Sequence, residues 1–177
     1  MSLVIALLTI SDSRTLADDP SGDHLKQQLL SAGHQLHERL ICPDDRYLIR
    51  AEVSRWIADP SVDVVISSGG TGLTGRDGTP EAVEPLLDKT IDGFGELFRV
   101  LSFETIGTSA LQSRCLAGVA NGTFLFVLPG SLDAVTTAWS RLIQDQLDPT
   151  TKPCNLAQLR PRLKEPSESP IKTESAS

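Results

Sequence analysis

Leu3 to Ile10, LVIALLTI, carries no charge and no polar alternation. A run of that length is far too short to cross a membrane, and it reads as a strand buried on both faces. Such a strand needs cover on two sides, which points to a sheet between helical layers. The rest of the chain repeats the theme. Ser11 to Pro20 is a polar loop. Ser21 is the predicted cap of a helix with Leu25, Leu29 and Ala32 on one face, and Gly33 is its predicted stop. Leu36–Ile41 is a second strand. Pro43-Asp44-Asp45 then opens a helix striped with Ile49, Val53, Trp56 and Ile57. Val62–Ser67 is a third strand. Thr79-Pro80-Glu81 is a further helix start, with Thr79 as cap. Phe94 to Phe103 is a helix with Phe94, Leu97, Phe98 and Leu101 inward. Asn121-Gly122 joins Ser113–Ala120 to Thr123–Leu128 as a hairpin. A last helix aligns Val135, Ala138, Trp139 and Leu142.

Strands alternating with helices predict a three-layer α/β/α sandwich with a mostly parallel sheet and one antiparallel hairpin strand. One domain over 1–155 is expected, followed by a polar tail over 156–177 that reads as disordered from Pro161. In such sheets ligands sit beyond the carboxyl ends of the strands. The loops to watch are Ser11–Arg14, Pro43–Asp45, Gly69–Thr79 and Pro129–Ser131.

The densest of these is ISSGGTGLTGRDGTPE, Ile66 to Glu81, with five glycines. Gly70 to Gly75 spells G-x-G-x-x-G, but a dinucleotide fingerprint follows the first strand and runs directly into a helix. This one follows the third strand, and Gly78 and Pro80 come too soon. The same stretch approaches the phosphate loop G-x-x-x-x-G-K-[ST], with Arg76 for lysine and Asp77 for the hydroxyl. Neither exchange is neutral at a crowded phosphate site. Two readings remain. Gly69-Gly70-Thr71-Gly72 forms a nest of backbone N–H groups for an anion, with Asp77 beside it to hold a metal or a polar group. Otherwise it is a tight turn that Asp77 caps. Asp44 is equally an N-cap or the neighbour of one at Asp45; Asp12 and Ser13 fit a side-chain-stabilised turn; Ser113-Arg114 fits a helix end.

The remaining composition narrows the function. A net charge of −7 argues against a general nucleic-acid binder. Three widely spaced cysteines and no C-x-x-C argue for a reducing compartment, and the cytoplasm is the expected location. No membrane association is expected. His24, His34 and His37 match no metal spacing and are expected at the surface. Cys42 and Cys115 read as core thiols, and Trp56 and Trp139 as core or interface.

Taken in order, TISDSR after the first strand, PDD after the second, SSGGTGLTGRDGTPEA after the third, LQSR before the hairpin and LPGS after it resemble the MoaB/MogA family of molybdenum cofactor biosynthesis proteins. The resemblance spans roughly Leu3 to Asn155. The segment GFGELFRVLSFETIGTSALQSR is closer to the MoaB branch, and Leu73, Thr74 and Gly75 depart from the MogA pattern. The resemblance implies an α/β subunit that assembles into homotrimers or homohexamers and works alongside other proteins of the pathway. It implies a molybdopterin site and, in active members, transfer of AMP from Mg-ATP to the terminal phosphate of molybdopterin; the alternative is a non-catalytic carrier. Carried over by motif, Asp44 and Asp77 are the functional carboxylates, with Asp77 the candidate magnesium ligand. Ser11, Asp12, Gly69, Gly70, Thr71, Gly72, Ser113, Pro129, Gly130 and Ser131 are the candidate binding residues.

Overall fold

The computed structural model describes residues 1–165. Six strands form one sheet in the order β2-β1-β3-β6-β5-β4. β1 (Val4–Ile10) pairs in parallel with β2 (Gln35–Cys42) and with β3 (Val64–Ser68), and β3 pairs in parallel with β6 (Thr123–Leu128). β5 (Leu116–Ala120) runs antiparallel to both β6 and the short β4 (Lys89–Thr90). The hairpin turn is the expected Asn121-Gly122, both at positive φ (47° and 82°), the conformation that a two-residue hairpin of this twist demands.

The period of two along β1 sorts the core into two layers. Ile5 and Leu7, with Leu3 just ahead of the strand, pack with α1 (Pro20–Ser31), α4 (Asp92–Ile106) and α5 (Leu132–Ala138), through Leu25, Leu29, Phe98 and Val135. Ala6, Leu8 and Ile10 pack on the other face with α2 (Arg46–Ala58) and α3 (Thr79–Val83), through Ile49, Val53, Trp56 and Val83. Each large side chain so buried stabilises the fold by about 1.5–3 kcal/mol. The three-layer architecture is therefore the one the alternating runs call for. Trp56 and Trp139 are both core residues. Cys42 and Cys115 are buried thiols, and burial pushes Cys42 up to about 11.

Several local expectations are corrected. The cap of α1 is Asp19, whose side chain accepts from Gly22 N; Pro20 occupies the first turn and Ala32 lies exposed past the end. Thr79 does not cap α3. Its hydroxyl donates to the Gly69 carbonyl at 2.9 Å, and Gly78 holds the cap position. Leu97 of α4 faces outward, 55% exposed. Beyond α5 a π turn, Trp139–Ile143, leads into α6 (Gln144–Leu147). Its wider turn places Ile143 in the core and leaves Leu142 half-buried. Within the expected tail, α7 (Leu156–Leu159) packs Ala157 into the core, and Arg160 ion-pairs with buried Asp63. The remainder of that tail, 166–177, lies outside the described residues.

His34 is buried, not superficial. Its Nδ1 accepts the Leu3 N–H at 3.3 Å, and its ring meets the edge of Trp139 at 6.4 Å. Burial holds its pKa below the usual imidazole value, reinforced by the N-terminal ammonium and opposed by Asp148. The neutral ring is therefore the folded form. Stability is fully present above the unfolded pKa of about 6.5 and falls as the pH drops toward the lower folded value, because the unfolded chain then binds the extra proton. The urea midpoint of the wild type is expected to decline between pH 7 and pH 5.5 more steeply than that of His34→Gln. Parallel profiles would show that His34 does not set this slope.

Candidate functional site

β1, β2, β3 and β6 all point their carboxyl ends the same way, and β5 enters the sheet from that edge. The four watched loops and Ser113 are gathered there. Backbone and side-chain bonds tie them together. Ser11 N donates to Cys42 O at 2.9 Å and Gly69 N to Leu128 O at 3.0 Å. Asp44 N donates to Asp12 Oδ1 at 3.2 Å, and Arg76 pairs with Asp12 at 2.7 Å.

The glycines of the loop are needed because carboxylates and backbone occupy the space a side chain would take. A Cβ on Gly69 would lie 2.3 Å from the Ile10 carbonyl oxygen. On Gly70 it would lie 2.8 Å from Asp44 Oδ2, and on Gly72 it would lie 2.6 Å from Asp77 Oδ2. Gly69 and Gly70 also sit at φ +106° and +62°, where side chains are strained. The loop thus folds around its own Asp77 and around Asp44 of the neighbouring loop.

Those acids are held differently. Asp44 accepts the Gly78 N–H at 3.3 Å and is half-buried. Burial raises its pKa, and the nearby Asp77 and Asp12 charges push the same way. Asp77 accepts from Thr74 twice through Oδ2, from the hydroxyl at 2.6 Å and from the backbone at 2.9 Å. The Thr74 hydroxyl bond is the main reason its pKa is lowered. Asp77 therefore does cap the turn, and its charge is stabilised in place. Both acids line a concavity of about 390 Å³ with Asp45, Arg46, Tyr47 and Arg76. Among the described residues no cluster of three or more metal-binding side chains exists. Two carboxylates are nonetheless a fitting set for magnesium, which completes its shell with phosphate oxygens and water.

A second concavity, about 320 Å³, opens on the other side of the loop. Thr71, Gly72, Ser113, Pro129 and Ser131 line it, with further hydroxyls from Ser102 and Thr105. Ser113 Oγ is buried at this wall with no partner among the described residues. An unsatisfied buried hydroxyl costs about 1–3 kcal/mol, so a ligand group that bonds it gains from doing so. Ser131 is already the cap of α5, accepting from Ala134 N at 3.2 Å. A larger cavity of about 480 Å³ under α4 and α6 contains none of these loop residues.

The candidate residues therefore divide. Asp44 and Asp77 face one concavity, and Thr71, Gly72, Ser113, Pro129 and Ser131 face the other. Ser11, Asp12, Gly69, Gly70 and Gly130 line neither and build the framework. Ser11 Oγ, for example, accepts from Ser13 N and Arg14 N within its own turn. Arg114 is the residue sequence reasoning undervalued. Its guanidinium bonds the carbonyls of Thr71 (3.2 Å) and Asp77 (3.0 Å) and pairs with Glu81, so it clips the glycine loop shut. These partners lie more than thirty residues away, and no periodicity announces them.

Known proteins carry the same arrangement of chain. The family model described as a probable molybdopterin binding domain matches residues 6–149. Molybdenum cofactor biosynthesis protein B of Escherichia coli (strain K12) is 54% identical over 151 residues, covering 85% of this chain and 89% of that protein. The protein of the same name from Staphylococcus aureus (strain Mu50) is 42% identical over 146 residues, covering 81% and 86%. A crystal structure of a molybdenum cofactor biosynthesis protein B superposes with a TM-score of 0.81 at 43% identity, covering 83% of this chain and 92% of that one. The tungsten cofactor synthesizing protein MoaB of Pyrococcus furiosus superposes with a TM-score of 0.73 at 32% identity, covering 81% and 92%. Sequence and fold agree, and the chain belongs to the MoaB branch of the MoaB/MogA family of molybdenum cofactor biosynthesis proteins.

Proposed function

We propose that this chain acts in molybdenum cofactor biosynthesis, binds molybdopterin at the glycine loop, and transfers AMP from Mg-ATP to the molybdopterin terminal phosphate. The observation that carries this reading is that the loop contributes to two concavities, one that sets the hydroxyls of Thr71, Ser113 and Ser131 among apolar side chains and one that sets Asp44, Asp45 and Asp77 beside Arg46 and Arg76. In the reaction a phosphate oxygen of molybdopterin attacks the α-phosphorus of ATP. The new P–O bond forms as the bond to pyrophosphate breaks, and pyrophosphate leaves. The attacking phosphate is already ionised at neutral pH, so the protein supplies alignment and charge stabilisation in place of a strong base. Ser113 Oγ is free to bond the pterin or its phosphate. Asp44 and Asp77 would hold magnesium, which when bound neutralises the triphosphate charge.

The test is purified protein with molybdopterin and Mg-ATP, assayed for adenylylated molybdopterin and pyrophosphate. Tight molybdopterin binding without product would leave a carrier. That second reading has one observation in its favour: Asp77 Oδ2 is already engaged by Thr74 inside the loop. Binding of neither pterin nor nucleotide would remove both readings.

The same proposal takes the protein to be cytoplasmic and self-associating, as a homotrimer or homohexamer, in contact with other proteins of the pathway. No helix among the described residues is long and apolar enough to cross a membrane. α4 and the turn after it expose Leu97, Val100, Phe103, Ile106 and Leu111, all at 55% or more. A patch of this kind on a folded surface marks a contact. Phe103→Asp is expected to shift the mass measured by light scattering to a smaller species, with the circular dichroism spectrum retained. An unchanged mass would place the subunit contact elsewhere.

A further inference from the structure

A buried ion cluster lies behind the site, and the proposed chemistry does not use it. The Asp19 side chain is fully buried. It accepts from Thr9 Oγ1 at 2.6 Å, Gly22 N at 3.1 Å, Arg39 Nη2 at 3.0 Å and Arg14 Nη1 at 3.4 Å. Burial works against its charge, and the bonds from Thr9, Gly22 and Arg39 overcome that and hold its carboxyl below the usual range. Asp19 is thus a fixed anion inside the N-terminus of α1.

Beside this anion two side chains, Arg14 bonded to Asp19 and Ser21 bonded to Arg14 at 3.5 Å, reach one atom. Ser21 Oγ donates to the Gly130 carbonyl at 2.9 Å, and Arg14 Nη1 donates to the same oxygen at 3.3 Å. Both span more than a hundred residues of sequence. Gly130 in turn rests on the glycine loop, where a Cβ at Gly130 would lie 3.1 Å from Gly69 Cα. Gly69 is the first glycine of the loop, and its N–H, expected from the sequence to face an anion, is spent on Leu128 O, two residues before Gly130. The backbone of Arg14 is itself held by Ser11 Oγ at 3.1 Å. A continuous path of contacts therefore runs from Asp19 through Arg14 and Ser21 to Gly130, Gly69 and the ligand wall.

We propose that Arg14 and Ser21 are positioning residues, which grip the Gly130 carbonyl and press the Pro129–Gly130 turn against Gly69 so that α1 sets the shape of a site it does not line. The role of the grip in ligand binding rests on the molybdopterin reading above; the grip itself does not. A cluster serving only the fold would loosen everything equally when cut. A positioning cluster loosens the loop selectively.

Ser21→Ala removes one donor, Arg14→Gln removes the cation, and Arg14→Lys keeps a cation beside Asp19. Amide hydrogen exchange and the molybdopterin dissociation constant are read on each full-length variant. Ser21→Ala and Arg14→Gln are expected to speed exchange at Gly69 and Thr79 roughly tenfold relative to the β1 and β3 amides. They are expected to weaken molybdopterin binding about tenfold, the scale at which supporting shells act. Arg14→Lys is expected to recover part of both. Unchanged loop exchange in both variants overturns the proposal, as does equal acceleration across loop and strands. Faster loop exchange with unaltered molybdopterin affinity overturns the link to binding. If the wild type itself binds no molybdopterin, the functional reading fails, and loop exchange still decides the grip.

Discussion

Gly69→Ala is expected to abolish molybdopterin binding and to lower the urea midpoint, while Gly75→Ala, six residues away in the same loop, leaves both close to wild type. The contrast follows from what each position meets. At Gly69 the backbone holds φ +106°, and an added Cβ would stand 2.3 Å from the Ile10 carbonyl oxygen. That neighbour is main chain at the end of a central strand and cannot swing aside. Backbone strain alone costs roughly 1–3 kcal/mol, and relief of the contact requires the loop to leave Ile10. Gly69 also carries the Gly130 contact and bonds Leu128 O, so a displaced Gly69 moves both walls of the hydroxyl-lined concavity. At Gly75 nothing lies within 4 Å of the added carbon and φ is ordinary. A surface change of that kind stays within about 0.5 kcal/mol. Chemical denaturation and direct binding check the pair. Gly69→Ala with wild-type affinity would show that the loop does not form the site.

The elements that could be read directly were those with a period. β1, β3 and β6 are apolar runs, and the stripe Ile49, Val53, Trp56 on α2 is spaced as one helical face; all are buried. Asn121-Gly122 announced its own turn. β4 could not be read, because Lys89 and Thr90 are exposed and polar and join the sheet only through pairing with Gly118 and Val119, about thirty residues on. Leu97 misled for a different reason. An apolar residue on a helix reads as core, yet Leu97, Val100 and Phe103 all face outward. Glycine density and the order of motifs singled out loops that the fold gathers at one edge of the sheet. Sequence could not show that Gly70 and Gly72 leave room for Asp44 and Asp77, because the first of those pairs is 26 residues apart along the chain. Nor could it show that Thr79, a good capping residue by type, spends its hydroxyl on Gly69.

Asp77→Asn is expected to reduce adenylyl transfer at least a hundredfold while leaving molybdopterin binding within about threefold. This side chain holds two jobs, and the exchange to asparagine separates them. Asp77 Oδ2 accepts the Thr74 N–H and hydroxyl, and an asparagine carbonyl oxygen can accept the same two bonds. The turn and the hydroxyl-lined concavity beyond it therefore survive the exchange. What is lost is one of three negative charges in the concavity shared with Asp44 and Asp45. If those charges hold the cation of Mg-ATP, losing one removes transition-state stabilisation at the triphosphate, a contribution of roughly 2.7–4 kcal/mol for a single preorganised group. Asp77→Ala removes the charge and both bonds, so it is expected to lose transfer and also to loosen the turn, with molybdopterin binding falling further than in the asparagine variant. Measured side by side, the two variants discriminate. Full transfer in Asp77→Asn with loss in Asp77→Ala would assign Asp77 to the turn alone. Full transfer in both would take Asp77 out of the mechanism and leave Asp44 as the carboxylate to test.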